Sequence, residues 1–151
     1  MGKAVTQLNA SNSNTNFVVI EAEKDWKITY LPFKASTAIE EGSAIGIEIV
    51  TNTTTGNVTL MGVENAAGAD FVGIMAEPIV DTDTDYATAG KLKAVYVPKS
   101  IYSRAKFTVG AGTFTAVDVF KTVEFHSDSK SLAVDTAGKG ARIVEYTSAT
   151  E

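Results

Sequence analysis

Residues 44–64 read AIGIEIVTNTTTGNVTLMGVE, and this stretch decides the fold class. Ile45, Ile47 and Ile49 alternate with small or polar residues, and a period of two predicts a half-buried β-strand. The run TNTTTGN that follows is typical of a turn, and NVTLMGV returns as a second strand. The stretch therefore predicts a hairpin with a polar tip.

The same pattern recurs along most of the chain. Further strands are predicted at NFVVIEA, WKITY, DFVGIMA, KLKAVYV, AKFTVG, AVDVFKTVEF, SLAVD and ARIVEY. Turn-forming clusters separate them, and no segment long enough for a globular helix shows a helical stripe. Many short strands at regular spacing indicate an all-β protein, built as a small β-barrel or sandwich.

The N-terminal segment has a different composition. Residues 4–16 read AVTQLNASNSNTN, in which Val5 and Leu8 are the large apolar residues. Such a run buries too little surface to offset the entropy of ordering. It is either a frayed terminus or an arm that orders on a partner's surface. We expect a flexible arm over residues 1–16 and a single β domain over residues 17–151.

The charges are segregated along the sequence, which has a net charge of −5. Between Lys34 and Lys91 there are acids and no basic residue, whereas from Tyr86 to Val117 there are basic residues and no acid. Blocks of opposite sign pair either within one subunit or between copies, and the sequence leaves both alternatives open. The self-association hypothesis names these charged residues: Asp81, Asp83, Asp85, Lys91, Lys93, Lys99 and Arg104.

The stretch DTDTD at residues 81–85 raises the question of a metal site. A calcium loop starting at Asp81 needs Gly at its sixth position and Glu at its twelfth, where this chain has Tyr86 and Leu92. The stretch is therefore predicted to be a solvated turn between two strands, with an isolated weak Ca²⁺ or Mg²⁺ site as the alternative.

The remaining signals for chemistry are weak. The chain has no cysteine, and its only histidine, His126, follows a predicted strand without a nucleophile elbow elsewhere in the sequence. Neither glycine cluster, GAG or AGKG, completes a phosphate-binding motif. We expect no enzymatic activity, no metal and no cofactor.

Two classes of partner are also disfavoured. A few scattered basic residues in an acidic protein give poor support for nucleic-acid binding. No apolar run approaches the ~18 residues of a membrane span, and the first residues lack the apolar segment of a signal peptide. We expect a protein that binds neither nucleic acid nor membrane and that stays in the cell until released.

The order of the remaining features resembles a known family. AIEEGSAIGIEIV, a threonine-rich tip and FVGIMAEPIVDTDTDYATAGKLKAVYVP together resemble the head decoration (capsid-stabilising) proteins of tailed bacteriophages. These are the lambda-type proteins and their relatives with a barrel-like β-tulip core. AGTFTAVDVF and LAVDTAGKGARIVEY are similar to their final strands, so the resemblance covers residues 36–147. The segment FKTVEFHSDSKS departs from the pattern because it lacks a glycine for a tight hairpin tip.

The resemblance implies a structural virion protein, assembled in the host cytoplasm, that binds the major capsid protein on the outer capsid surface as a homotrimer. It also implies that the N-terminal arm adds a strand to the capsid. The arm residues concerned are Val5, Gln7, Leu8, Asn9, Asn12, Asn14 and Asn16.

Two other functions remain open. A tail-tube or head-fibre protein has a similar composition. A carbohydrate-binding β-sandwich needs exposed aromatic residues on one face, whereas the alternation around Trp26 predicts that this side chain faces the core.

Overall fold

The alternating apolar segments form the strands of an all-β protein, as the sequence predicts. The computed structural model of the chain describes residues 5–8, 18–21, 23–64, 71–111, 115, 117, 122–125, 131–133 and 141–142. A single turn of 3-10 helix at Glu23–Asp25 precedes the third strand. The strands are β1 (Val5–Leu8), β2 (Val18–Glu21), β3 (Trp26–Phe33), β4 (Ala44–Thr51), β5 (Val58–Glu64), β6 (Phe71–Met75), β7 (Lys91–Pro98), β8 (Arg104–Ala111), β9 (Thr122–Phe125), β10 (Ser131–Ala133) and β11 (Ala141–Arg142).

Five of these strands close into a barrel in the order β3-β5-β4-β6-β7. β3 pairs with β7 along its whole length, and β4 and β5 form the predicted hairpin. Closure between β3 and β5 is parallel and rests on a single register pair, Phe33 with Gly62. The two strands are therefore joined at one point and diverge from it.

The barrel interior is filled by apolar side chains from four of the strands and the adjoining loops. Phe33 is 1% exposed, and a Cβ atom on Gly62 would lie 2.5 Å from Cε1 of that ring. Only glycine lets the two strands approach so closely at this point. The core residues are Phe33, Ile39, Ile45, Met75, Ile79 and Val95.

A second sheet, in the order β1-β2-β8-β10-β9-β11, is joined to the barrel through β8. Trp26 packs with Ile74 and Tyr96 on the outside of the barrel, and Ala105 of β8 packs against this cluster. Trp26 Nε1 donates a hydrogen bond of 3.2 Å to the backbone oxygen of Arg104. The prediction that Trp26 faces a core is confirmed, because 7% of the residue is exposed.

The N-terminal residues provide the main difference from expectation. Val5–Leu8 forms β1, which pairs antiparallel with β2 at the edge of the second sheet, where the sequence predicted no regular structure. Backbone hydrogen bonds to β2 stabilise this strand, although the segment has few apolar side chains to bury. Of the predicted arm residues, Val5, Gln7 and Leu8 lie in β1, and Asn9, Asn12, Asn14 and Asn16 lie outside the described residues.

Candidate interaction surfaces

The two ends of the barrel differ in chemistry. β3 and β5 run parallel while β4 and β7 run against them, so the β4–β5 turn, the β7–β8 turn and the start of β3 share one end. We call this the apolar end. The opposite end, formed by residues 34–43 and 76–90 with the adjacent strand termini, is the acidic end.

Carboxylates are concentrated at the acidic end. Seven of them lie there with three lysines, which gives this end a formal charge of −4, whereas the whole chain has −5. Because charged groups lose much free energy when they leave water, this end favours solvent or a cationic partner. The residues are Glu40, Glu41, Glu64, Glu77, Asp81, Asp83 and Asp85, with Lys34, Lys91 and Lys93.

Lys93 is the centre of this end. Its side chain is 9% exposed, and its Nζ lies 3.3 Å from Asp83 Oδ2, 3.4 Å from Glu77 Oε1 and 3.6 Å from Asp85 Oδ1. A buried ammonium group is tolerated only when it is paired, and three carboxylates from two segments pair it here. The cluster ties the 80–90 loop and Glu77, the second residue after β6, to the start of β7.

The pKa values of two groups report the same arrangement. Burial lowers the pKa of Lys93, but hydrogen bonds with Asp83 and Glu77 and their negative charges outweigh it, so the pKa is raised above 10.5. The pKa of Asp83 is held below its ordinary 3.8, chiefly by the hydrogen bond from the backbone N–H of Val80 and further by Lys93. Both shifts favour the charged pair.

Lys91 fastens the loop to the barrel in a different way. It is 5% exposed, and its Nζ donates to the backbone oxygens of Lys34 at 2.6 Å and Tyr86 at 2.9 Å. Its Nζ also lies 5.4 Å from the centre of the Tyr86 ring, a distance suited to a cation–π contact. Lys91 therefore acts as a structural bridge within one subunit.

The stretch at residues 81–85 is a turn, as predicted, but its carboxylates are not all turned to solvent. The backbone N–H of Asp83 donates to Val80, and that of Tyr86 donates to Asp83, each at 3.0 Å. This winding brings Asp83 and Asp85 onto Lys93 and leaves Asp81 exposed. In the part of the chain that the structure describes, no group of three or more acidic or histidine side chains is placed to hold a metal ion.

The β7–β8 turn at the apolar end is held by a network around Ser103. Ser103 Oγ donates to the backbone oxygen of Asp25 at 2.6 Å and accepts from the backbone N–H groups of Lys99 and Ser100. Lys99 Nζ donates to the backbone oxygen of Lys24 at 2.5 Å. Two large apolar side chains stand at the tip of this fixed turn, Ile101 at 90% and Tyr102 at 76% exposure.

The β4–β5 hairpin extends past the barrel at the same end. β6 pairs with β4 as far as Gly46, and β3 pairs with β5 at Gly62 alone. Residues 47–61, which we call the ribbon, thus have ladder partners only inside the hairpin, among the residues described. Ile49 lies directly opposite Leu60 in this ladder, and the two are 71% and 56% exposed.

The seven residues of the self-association hypothesis are divided between the two ends. Asp81, Asp83, Asp85, Lys91 and Lys93 lie at the acidic end, whereas Lys99 and Arg104 lie at the apolar end. Asp83, Asp85 and Lys93 are paired within the subunit, which is one of the two alternatives the sequence left open. The exposed members of the set are Asp81, Lys99 and Arg104.

Sequence reasoning missed the ribbon face and the apolar turn. Exposed apolar residues on strands look like core residues in a sequence, because alternation gives no sign of where the neighbouring strand ends. The one available signal was the absence of charge from residue 49 to residue 63.

Comparisons with known proteins add no identification. No family model, no curated protein and no solved structure matches the chain. Within the described ranges, no helix has the length and apolar character needed to cross a membrane.

Proposed function

We propose that this chain is a structural virion protein that binds the outer surface of a tailed-phage capsid and stabilises it, without enzymatic activity. The observation that carries the proposal is the position of β1, an N-terminal strand at the edge of the second sheet. An edge strand presents backbone N–H and C=O groups to which an extended partner strand can be added. The major capsid protein is the proposed source of that strand.

The composition of the N-terminal segment supports this role. Sheet edges that must stay free usually carry charged residues or proline, and residues 4–16 contain neither. Backbone pairing makes little demand on side chains, so the short polar side chains of this segment suit a partner strand. Val5, Gln7 and Leu8 of β1, with Asn9, Asn12, Asn14 and Asn16, are the proposed contact residues.

The uneven distribution of charge supports attachment to a surface. A protein that coats a particle needs one side that meets the particle and its neighbours and one side that stays in water. The acidic end suits water, because burying its carboxylates against an apolar partner would be costly. The uncharged N-terminal segment and the apolar end suit contact.

Many weak contacts between an oligomer and the capsid can together give stable attachment. A homotrimer that contacts several capsid subunits binds through many linked sites, and linked binding strengthens attachment without any new contact. The proposed role is thus a clamp across capsid subunits, with self-association supplied by the β domain.

Immunogold electron microscopy tests the proposal. Antibody raised against the purified chain should label the heads of the phage particles that the source genome produces. Label confined to tails or fibres would favour the tail-tube or head-fibre alternative, and particles without label would contradict a virion role. The carbohydrate alternative gains nothing from Trp26, which is buried, and a glycan array with no bound sugar would remove it.

A further inference from the structure

We propose that the ribbon is the interface between copies of this chain, with each ribbon pairing edge to edge with its neighbours in a closed ring. This inference rests on the self-association part of the proposed function and is independent of the capsid part.

The edges of the ribbon lack the usual protection. Within the described residues, β4 beyond Gly46 and β5 before Gly62 have one ladder neighbour each, so both outer edges are open. Proteins keep such edges apart with charges or proline, yet the ribbon has no proline and a single charged residue, Glu48, which is paired with Lys34. A two-stranded hairpin is also marginally stable on its own in water. The ribbon therefore has the properties of a segment that is covered in an assembly.

The apolar face of the ribbon is continuous. Ile49 and Leu60 are register partners, and Val58 lies two residues from Leu60 on the same side of the strand. Val58 is 62% exposed, so all three side chains stand largely in solvent in the isolated subunit. Covering them would remove apolar surface from water and stabilise the assembly.

The distribution of charge selects a second copy as the occupant. Two copies that approach by their acidic ends repel each other, because each end carries a formal charge of −4. The ribbon has one charged residue, Glu48, which forms an ion pair with Lys34 of the same subunit. Its tip lies at the opposite end of the barrel, so copies that meet there keep their acidic ends apart. A basic partner, by contrast, would be drawn to the acidic end.

Two open edges favour a ring over a two-fold pair. In a two-fold symmetric pair, the same edge of both ribbons forms the contact. The other edge of each ribbon then stays unpaired. When the β4 edge of one ribbon meets the β5 edge of the next, both edges are satisfied and every neighbouring pair of strands is antiparallel. Head-to-tail contacts of this kind repeat until the ring closes. Three ribbons with their apolar faces inward give the expected trimer.

The turn at the tip of the ribbon is fixed within the single subunit, before any contact with another copy. Asn52 Oδ1 accepts from the backbone N–H groups of Thr54 at 2.9 Å and Thr55 at 3.1 Å. Gly56 has a φ of 71°, a left-handed conformation that glycine adopts without strain. A turn fixed before association lowers the entropy that binding costs.

Light scattering coupled to gel filtration tests the interface on the full chain. The wild type is expected to have the mass of a trimer. Leu60→Lys places an ammonium group inside the proposed ring and is expected to give a monomer with the far-UV circular dichroism of the wild type. Leu92→Lys is the matched control, because Leu92 is 60% exposed on the outer face of β7, and it should remain a trimer.

Each outcome decides between distinct parts of the account. A wild type that is monomeric at every concentration overturns the ribbon interface and the self-association it rests on. A Leu60→Lys protein that stays trimeric overturns the ribbon interface alone. Ile49→Lys is the second variant on the same face, and it must give the same mass as Leu60→Lys. Head labelling by microscopy is a separate result that none of these masses affects.

Discussion

Lys93 Nζ lies 3.3 Å from Asp83 Oδ2. The lysine belongs to a barrel strand, and its side chain is 9% exposed. The pair joins the loop at residues 81–85 to the start of β7. The acidic and basic blocks of the sequence thus meet within one subunit at this point, where they fix the shape of the acidic end.

Replacing Lys93 with Met should destabilise the fold. The substitution keeps the apolar stem but leaves Glu77, Asp83 and Asp85 facing one another without a cation. Removing one partner of a fully buried pair costs about 3–5 kcal/mol, and because these carboxylates are partly exposed we expect about 1–3 kcal/mol. Urea unfolding followed by the fluorescence of Trp26, the single tryptophan, measures the change. Lys27→Met, at an exposed position on β3, is the control and should change the stability by less than about 0.5 kcal/mol. Equal midpoints for the two variants would refute the structural role of Lys93.

The stability should depend on pH at both extremes. The pKa of Asp83 is lower in the folded state than its ordinary 3.8, so its contribution is present above that pH and is lost as the pH falls through the folded value. The pKa of Lys93 is raised above 10.5, so its contribution is present below that pH and is lost as the pH rises through the folded value. Between these limits the pair is intact.

Asp83→Asn isolates the acid side of this dependence. The variant should be less stable than the wild type at neutral pH, and the difference should shrink as the pH falls below 3.8 and through the lower folded pKa, at which the wild-type carboxyl becomes protonated. Urea midpoints across the pH range provide the measurement. A difference that stays constant down to the lowest pH would contradict the assignment of Asp83 as a charged partner.

The closure of the barrel should be sensitive to one methyl group. A Cβ at Gly62 would lie 2.5 Å from Cε1 of Phe33, which is buried and cannot move aside freely. Overpacking of this kind costs about 1–3 kcal/mol, so Gly62→Ala should lower the free energy of unfolding by that amount. Thr59→Ala, on the same strand at an exposed position, is the control. Calorimetry that finds Gly62→Ala as stable as its control would show that β3 and β5 do not meet as described.

The strands could be predicted from the sequence because alternation reports a pleated, half-buried surface. Segments such as KLKAVYV and DFVGIMA fall on β7 and β6 as predicted. Alternation does not say which face is buried, however. On β7 the lysines are buried and Leu92 is exposed, because carboxylates of the preceding loop pair Lys93 and backbone oxygens accept hydrogen bonds from Lys91. A single sequence cannot show that such a partner is within reach.

The interaction surfaces were harder to predict for a related reason. Ile45 and Ile49 belong to the same alternating run of isoleucines, yet Ile45 is fully buried and Ile49 is 71% exposed. Among the described residues, the pairing of β4 with β6 ends at Gly46, before Ile49 is reached, and strand length relative to a neighbour is a property of the sheet. β1 was missed because its stability depends on pairing with β2 and little on its own side chains.

The central claim is that the chain coats a phage capsid through its N-terminal segment. Its most direct test is cosedimentation of the purified chain with heads of the phage that is proposed to encode it, comparing the full chain with a variant that lacks residues 2–16. We predict that the full chain sediments with the heads, whereas the variant keeps the Trp26 fluorescence of a folded barrel and stays in the supernatant. A full chain that leaves the heads bare, or a shortened variant that coats them undiminished, would contradict the account.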